Sequence, residues 1–211
     1  MIKAEHSTFH IWISKVYVFI FLNLFFRNIR FIGDNEFNNE LPVLMISNHF
    51  SWWDGFFQIR LNDKIFKKKY HFMMLESELS KVRILRKIGA TSIKKESRSA
   101  FESLQYLVEV IKRPGNLFLF FPEGEIKSLY TQNFEFEKGA LNYILKKANN
   151  EYNFVFNLNL IDYGAFRRPE VTVYYKTYQI NKLTSVYEIQ TAYNSFAQDC
   201  FRIQKGDQVK E

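Results

Sequence analysis

Six short apolar runs alternate with segments of helical spacing in this chain, and that alternation restricts the fold more than any other feature. The runs read "LPVLMIS", "YHFMMLE", "GATSI", "LFLFF", "FVFNLNLI" and "EVTVYYK". Each has the length of a strand, and the fourth, like the first up to its closing serine, is continuously apolar, as in strands covered on both faces. Between the second and third runs, Leu79, Val82, Leu85 and Ile88 make a rough helical stripe. Phe101, Leu104, Leu107, Val108 and Ile111 make another, opened by Ser99 and Glu102 at capping-box spacing and ended by "RPGN". A further helix is expected from Gly139 to Asn149, and a last one opens at Ser185 and Glu188. Strands alternating with helices predict an α/β domain with a mostly parallel central sheet flanked by helices.

At 211 residues the chain suits one domain, or one domain with a short appendage. The appendage is amino-terminal, "IWISKVYVFIFLNLFFRNIR". From Val16 to Phe26 it carries no charge, but Lys15 and Arg27 close that window. The window is shorter than the roughly 20 residues of an unassisted membrane span. No small-residue cleavage site follows it, so it does not read as a signal peptide. Lys3, Lys15, Arg27 and Arg30 flank an aromatic-rich face, which reads as an amphipathic helix lying in a membrane interface. A core helix covering the domain and a true span are the alternatives. The expected division is residues 1–32 as the interfacial helix and 33–211 as the globular domain, joined by the polar "GDNEFNNE".

Lysine and arginine exceed the acidic residues by enough to give a net charge of +7. That balance suits a nucleic acid, an anionic membrane or a phosphorylated substrate. No nucleic-acid partner is expected, because no binding motif is present and the aromatics fall mainly on apolar stripes. The single cysteine, Cys200, excludes an intrachain disulfide. Its helical spacing with Ile189, Tyr193 and Phe196 makes it a buried apolar residue.

The chain has no Gly-x-Ser-x-Gly elbow, no Walker loop, no dinucleotide fingerprint, no Cys-x-x-Cys and no His-Glu-x-x-His. No metal site and no bound cofactor are expected. His6 and His10 belong to the interfacial segment, and His71 sits in an apolar strand as a structural residue. His49 differs, because "SNHFSWWDGFF" places Asp54 five residues after it. Along one helix that spacing is about 500° of rotation, so the two side chains would diverge. A strand-to-turn-to-helix passage brings them together, with His49 at the strand end and Asp54 in the first helical turn. An imidazole with an ordinary pKa near ~6.5 accepts a proton at neutral pH. A carboxylate on its other nitrogen fixes the tautomer. The same pair could instead serve only as a turn cap. With no serine or cysteine nucleophile apparent, the catalytic reading is activation of a substrate hydroxyl.

Two further segments bear on this site. "LFLFFPEGEIKS" hangs Glu123 and Gly124 in a tight loop at the carboxyl end of a strand, where ligands bind in open α/β sheets; a solvated turn is the alternative. "GATSIKKESR" supplies Lys94, Lys95 and Arg98, as a phosphate cradle or as an exposed basic loop.

Together these segments resemble the glycerolipid (lysophospholipid) acyltransferase family over roughly Leu41 to Tyr175. "NHFSWWD" looks like the family's Asn-His-x4-Asp block, and "FPEG" its third block. "GATSIKK" is similar to the second, with Lys95 where an arginine is usual, and "FEKGALNYILKKA" to the helix after the third. Glu125–Ile126–Lys127–Ser128 replaces the usual Thr-Arg-Ser, and "FVFNLNLI" lacks the family's proline. The resemblance implies a membrane-associated acyltransferase domain over 33–211, with His49 as catalytic base and Asp54 as its partner. It implies Glu123 and Gly124 as shapers of the acceptor site, with Lys95, Arg98 and Lys127 as candidate phosphate contacts. The implied co-substrate is an acyl thioester, acyl-CoA or acyl-ACP, and the acceptor a lysophospholipid. An uncharged or glycosylated lipid alcohol, or lipid binding without turnover, are the alternatives. The implied setting is peripheral, monotopic attachment to the cytoplasmic face of a membrane, with membrane lipid and the acyl carrier as partners.

Overall fold

The computed structural model describes residues 1–34, 36–94, 98–148, 151–180 and 184–206. Seven strands form one sheet: β1 (Asn28–Gly33), β2 (Val43–Ser47), β3 (Lys69–Leu75), β4 (Ala90–Ile93), β5 (Asn116–Phe120), β6 (Asn153–Asp162) and β7 (Glu170–Tyr178). Their spatial order is β1-β7-β6-β2-β5-β3-β4. Every neighbouring pair is parallel except β6 with β7, which a hairpin joins. The expected α/β architecture with a mostly parallel sheet is therefore present.

Both faces of the sheet are covered, which is why β2 is apolar without alternation and buried at all five positions. Side chains still alternate between the faces. Leu44, Ile46, Phe154 and Phe156 enter the core under α4 (Arg98–Ile111), α5 (Lys138–Lys147) and α6 (Val186–Gln204). Val43, Met45, Val155 and Val173 enter the opposite core, under α1 (Thr8–Phe25) and α2 (Asp54–Leu61). Fully burying one such side chain is worth about 1.5–3 kcal/mol, so these two layers outweigh any single polar contact. The α6 capping box forms between Ser185 and Glu188, and Cys200 is buried in that helix.

Three local expectations change. The helix expected over 1–32 spans Thr8–Phe25, and Asn28–Gly33 leaves it as edge strand β1, paired with β7. Phe26 adopts an extended backbone and is buried, ending the helix where the apolar run would have let it continue. The stripe from Leu79 to Ile88 breaks into α3 (Glu76–Lys81) and a 3-10 turn (Arg83–Ile88). Val82, non-helical and 46% exposed, interrupts it, so only Leu79 of that stripe is buried. The Ser99 cap, like the side chain of Arg98, lies outside the described residues.

Residues ahead of α1 form an extended strap along the edge of the sheet. Ser92 N–H donates to Ile2 O, Glu5 N–H to Arg86 O and Ser7 N–H to Lys87 O, each at 2.9 Å. The Glu5 carboxylate pairs with Arg86 and Lys87. His6, expected at a membrane interface, instead lies 2.8 Å from Tyr70 O, with its ring 4.4 Å from that of His71. Burial, then the neighbouring His6 and the Lys69 and Arg113 cations, pull His71 down to about 3, with the Asn116 side chain opposing.

A histidine whose folded pKa is depressed favours the folded state above its unfolded value near ~6.5. That advantage is lost as pH falls from about 6.5 toward 3, because the unfolded chain binds a proton that the folded chain refuses. One proton's difference is about 1.4 kcal/mol per pH unit. Urea unfolding between pH 7 and 5 should therefore show a stability decline that becomes shallower by about this slope in His71→Leu. An unchanged pH dependence would contradict the assignment.

Candidate active site

Strand register builds the site. β2 and β5 are parallel neighbours with Ile46 opposite Phe120. Three residues beyond each of these stand His49 and Glu123, so one rim of the sheet carries both. The two loops are joined by hydrogen bonds. His49 N–H donates to Glu123 Oε2 at 3.4 Å, and Lys127 N–H donates to His49 O at 2.8 Å.

The turn after His49 closes on Asp54, the first residue of α2 and fully buried. Asp54 Oδ2 lies 2.8 Å from His49 Nδ1 and accepts from Phe50 N–H at 2.8 Å and Ser51 N–H at 2.9 Å. An ionised carboxylate only accepts, so Nδ1 carries the hydrogen and Nε2 is the nitrogen left to take a proton. The helix amino terminus favours the negative charge. The ring of His49 stacks on Phe121, at 4.1 Å between centroids and 18° between planes. The strand-to-turn-to-helix passage expected from the spacing is the one present.

Glu123 is buried. Burial raises its pKa above the usual carboxylate value, opposed by the His49 N–H and the Lys127 and His49 charges. Gly124 takes a left-handed backbone, φ +70°, and a methyl group there would overlap the Glu137 carboxyl. Only glycine holds this loop without strain. Lys127 lines a recess of about 10 Å³ with His49, Glu123, Thr131 and Leu160, room for about one water. Its amine pairs with Glu125 within the exposed loop. Lys95 lies outside the described residues, and of Arg98 only the backbone is described. Among the described residues, no group of three or more His, Cys, Asp or Glu side chains is placed to hold a metal.

Beneath the rim lies a polar network that motif reading missed. Gln58 Nε2, one turn after Asp54 on α2, donates to Ser47 Oγ at 2.7 Å and Asn157 Oδ1 at 2.6 Å. Ser47 Oγ lies 2.7 Å from Asn157 Oδ1, and Asn157 Nδ2 donates to Tyr174 O at 2.8 Å. Asn48 Nδ2 donates to Asn159 O at 3.1 Å, and Asn48 Oδ1 accepts from Asn159 N–H at 2.9 Å. These bonds tie the end of β2, the residue before His49 and the start of α2 to β6. The signal was visible: asparagines two apart in "FNLNLI" share one face of an otherwise apolar strand.

An imidazole oriented by a buried carboxylate, at the carboxyl ends of parallel strands, has the geometry that a general base requires. The chain belongs to the acyltransferase family, whose model matches residues 28–156, more than half of its length. The solved structure of the 1-acyl-sn-glycerophosphate (LPA) acyltransferase PlsC from Thermotoga maritima has the same fold. It aligns with a TM-score of 0.60 and 15% identity, covering 90% of this chain and 78% of that one. A comparison with curated protein sequences found no match. The acyltransferase membership implied by the sequence blocks is thus shown, and the protein is an acyltransferase.

Asp54→Asn tests the pair. His49 Nδ1, Phe50 N–H and Ser51 N–H all meet the one oxygen Oδ2, so an amide is uncharged there if its oxygen takes that place and sets a donor against all three if its NH2 does. We expect kcat/KM to fall by about 10³–10⁴-fold through the wrong imidazole tautomer, and stability to fall by about 1–3 kcal/mol. Steady-state kinetics beside a urea titration check both; near wild-type turnover would remove the pair from the mechanism.

Proposed function

We propose that the protein is a membrane-associated O-acyltransferase that moves an acyl chain from acyl-CoA or acyl-ACP to a lysophospholipid hydroxyl. The observation that carries this reading is the buried Asp54 bonded to His49 at the rim between two parallel strands. His49 Nε2 takes the hydroxyl proton while the oxygen attacks the thioester carbonyl. Asp54 stabilises the imidazolium that forms. The tetrahedral intermediate collapses, the C–S bond breaks, and the departing sulfur receives the proton. General-base assistance of this kind is worth roughly 10²–10⁴-fold.

Glu123 and Gly124 shape the acceptor side of the recess, and Lys95, Arg98 and Lys127 contact the acceptor's phosphate. An uncharged lipid alcohol is the second reading. It is favoured by Ile126, where an arginine is usual, and by the pairing of the Lys127 amine with Glu125.

Membrane attachment through α1 belongs to the same proposal. By length and composition this 18-residue helix could cross a membrane, with a mean hydropathy of 1.5, and only 11% of it is buried. Phe9, Trp12, Phe19, Ile20 and Leu24 all face outward. Yet both ends are fastened to one body, through the strap at one end and β1 at the other. A spanning helix would place its ends on opposite sides of the bilayer, so α1 lies in the interface. The cytoplasmic leaflet, where acyl thioesters are available, is the proposed side, with residues up to Phe25 for docking and the sheet for catalysis.

Purified protein in mixed micelles should convert lysophosphatidate and an acyl thioester to phosphatidate. His49→Ala should lose at least about a hundredfold, the lower bound for a general base, while still unfolding cooperatively at a somewhat lower temperature, because buried Asp54 loses one of its partners. A variant that kept its turnover would remove His49 as the base. Acylation of a neutral lipid alcohol alone would select the second reading.

A further inference from the structure

The turn joining β6 to β7, "YGAFRR" from Tyr163 to Arg168, stands at the same end of the sheet as the His49–Asp54 pair. β6 runs parallel to β2 with Asn157 opposite Ser47, and continues five residues further to Asp162. At about 3.3 Å per residue, the hairpin projects roughly 16 Å past the end of β2. A tight turn between paired strands needs small or polar residues. This one instead exposes Tyr163 at 62% and Phe166 at 51%, beside exposed Arg167 and Arg168.

The tip is seated on the carboxyl end of α1. Arg168 Nη1 donates to Asn23 O at 2.8 Å, meeting the partial negative charge of the helix end. Arg27 N–H donates to Pro169 O at 2.8 Å, and its guanidinium lies 3.4 Å from the Phe166 ring centre. On its other side, the same end of α1 touches the catalytic loop. Phe25 packs on Trp53 at 5.2 Å, and Trp53 on Trp52 at 4.8 Å. Trp52 lies between His49 and Asp54 in the chain and is 60% exposed. Helix, hairpin tip and catalytic loop thus form one aromatic surface.

We infer that the Tyr163–Arg168 tip is a second membrane anchor, which sets its two rings among lipid headgroups and binds anionic phospholipid through Arg167 and Arg168. This rests on the interfacial reading of α1 and extends it to the catalytic rim. Charge favours that occupant. Arg167 and Arg168 remain at the tip once Arg27 is paired with Glu170, and the other adjacent acid, Asp162, accepts from Gln204. Amphipathic rings at headgroup depth with arginines beside them are the chemistry of an anionic interface. Docked this way, Trp52 rests on the leaflet and the His49 loop faces lipid that arrives laterally.

The test is flotation of the full chain with phosphatidylcholine vesicles, with and without phosphatidylglycerol, using Tyr163→Ser/Phe166→Ser/Arg167→Gln. Arg168 is kept because it holds the end of α1. Partition onto phosphatidylglycerol vesicles should fall about tenfold or more, since one arginine near an anionic surface alone gives roughly fivefold. Turnover of detergent-dispersed substrate should not change, and thermal unfolding should shift only by the loss of the exposed Arg27–Phe166 contact. Brominated lipid should quench tryptophan emission less in Trp52→Phe than in the wild type. His49→Ala should float as the wild type does, which separates failure of this inference from failure of the catalytic one. Equal partition of the tip variant and the wild type, or no preference of the wild type for the anionic vesicles, would overturn the proposal. So would loss of a dimer in the tip variant with vesicle binding intact, which would assign the patch to a second copy of the chain.

Discussion

The buried carboxylate of Asp54 is the constraint around which the catalytic rim is arranged. A charge taken out of water is costly unless hydrogen bonds surround it. Here the partners are His49 Nδ1, two backbone N–H groups and the start of α2. The same bonds force the chain to turn sharply after β2 and fix the histidine in one tautomer. Folding of the turn and orientation of the imidazole are thus the same set of contacts. The polar network through Gln58, Asn157 and Ser47 extends that set downward, anchoring both the strand and the helix between which the turn runs.

The neighbouring loop answers the same geometry from β5. Parallel register places Glu123 level with His49, and the hydrogen bonds between the loops make them a single unit. Gly124 allows that approach because its left-handed backbone leaves space beside the Glu137 carboxyl. On the outer side, Trp53 packs on both Phe25 and Phe26, so the catalytic turn is also the seat of α1. A change in how α1 is held would therefore be felt at the residue next to Asp54 by nothing more than packing.

Much of this was legible in the sequence, for physical reasons. Strands buried on both faces must be short and apolar, so β2 and β5 announced themselves, and the spacing of His49 and Asp54 required the turn that is found. β1 was hidden because its Ile29 and Phe31 lie just past the apolar run of α1, and Arg27 and Arg30 beside and between them read as the basic flank of one interfacial helix. Val82 defeated the helical stripe because periodicity records side-chain character and not backbone angles. The asparagines of β6 were passed over because a hydrogen-bond network between β2, α2 and β6 has no motif; its members are 110 residues apart in the case of Ser47 and Asn157. Lys95 and Arg98 were legible as a basic cluster only.

The central claim is that Asp54 leaves His49 with a protonated Nδ1 and a bare Nε2. Long-range proton–nitrogen NMR correlations of histidine-labelled protein at neutral pH report the tautomer directly. The account predicts an Nδ1–H form for His49 that is lost in Asp54→Asn. An Nε2–H form in the wild-type protein would contradict it.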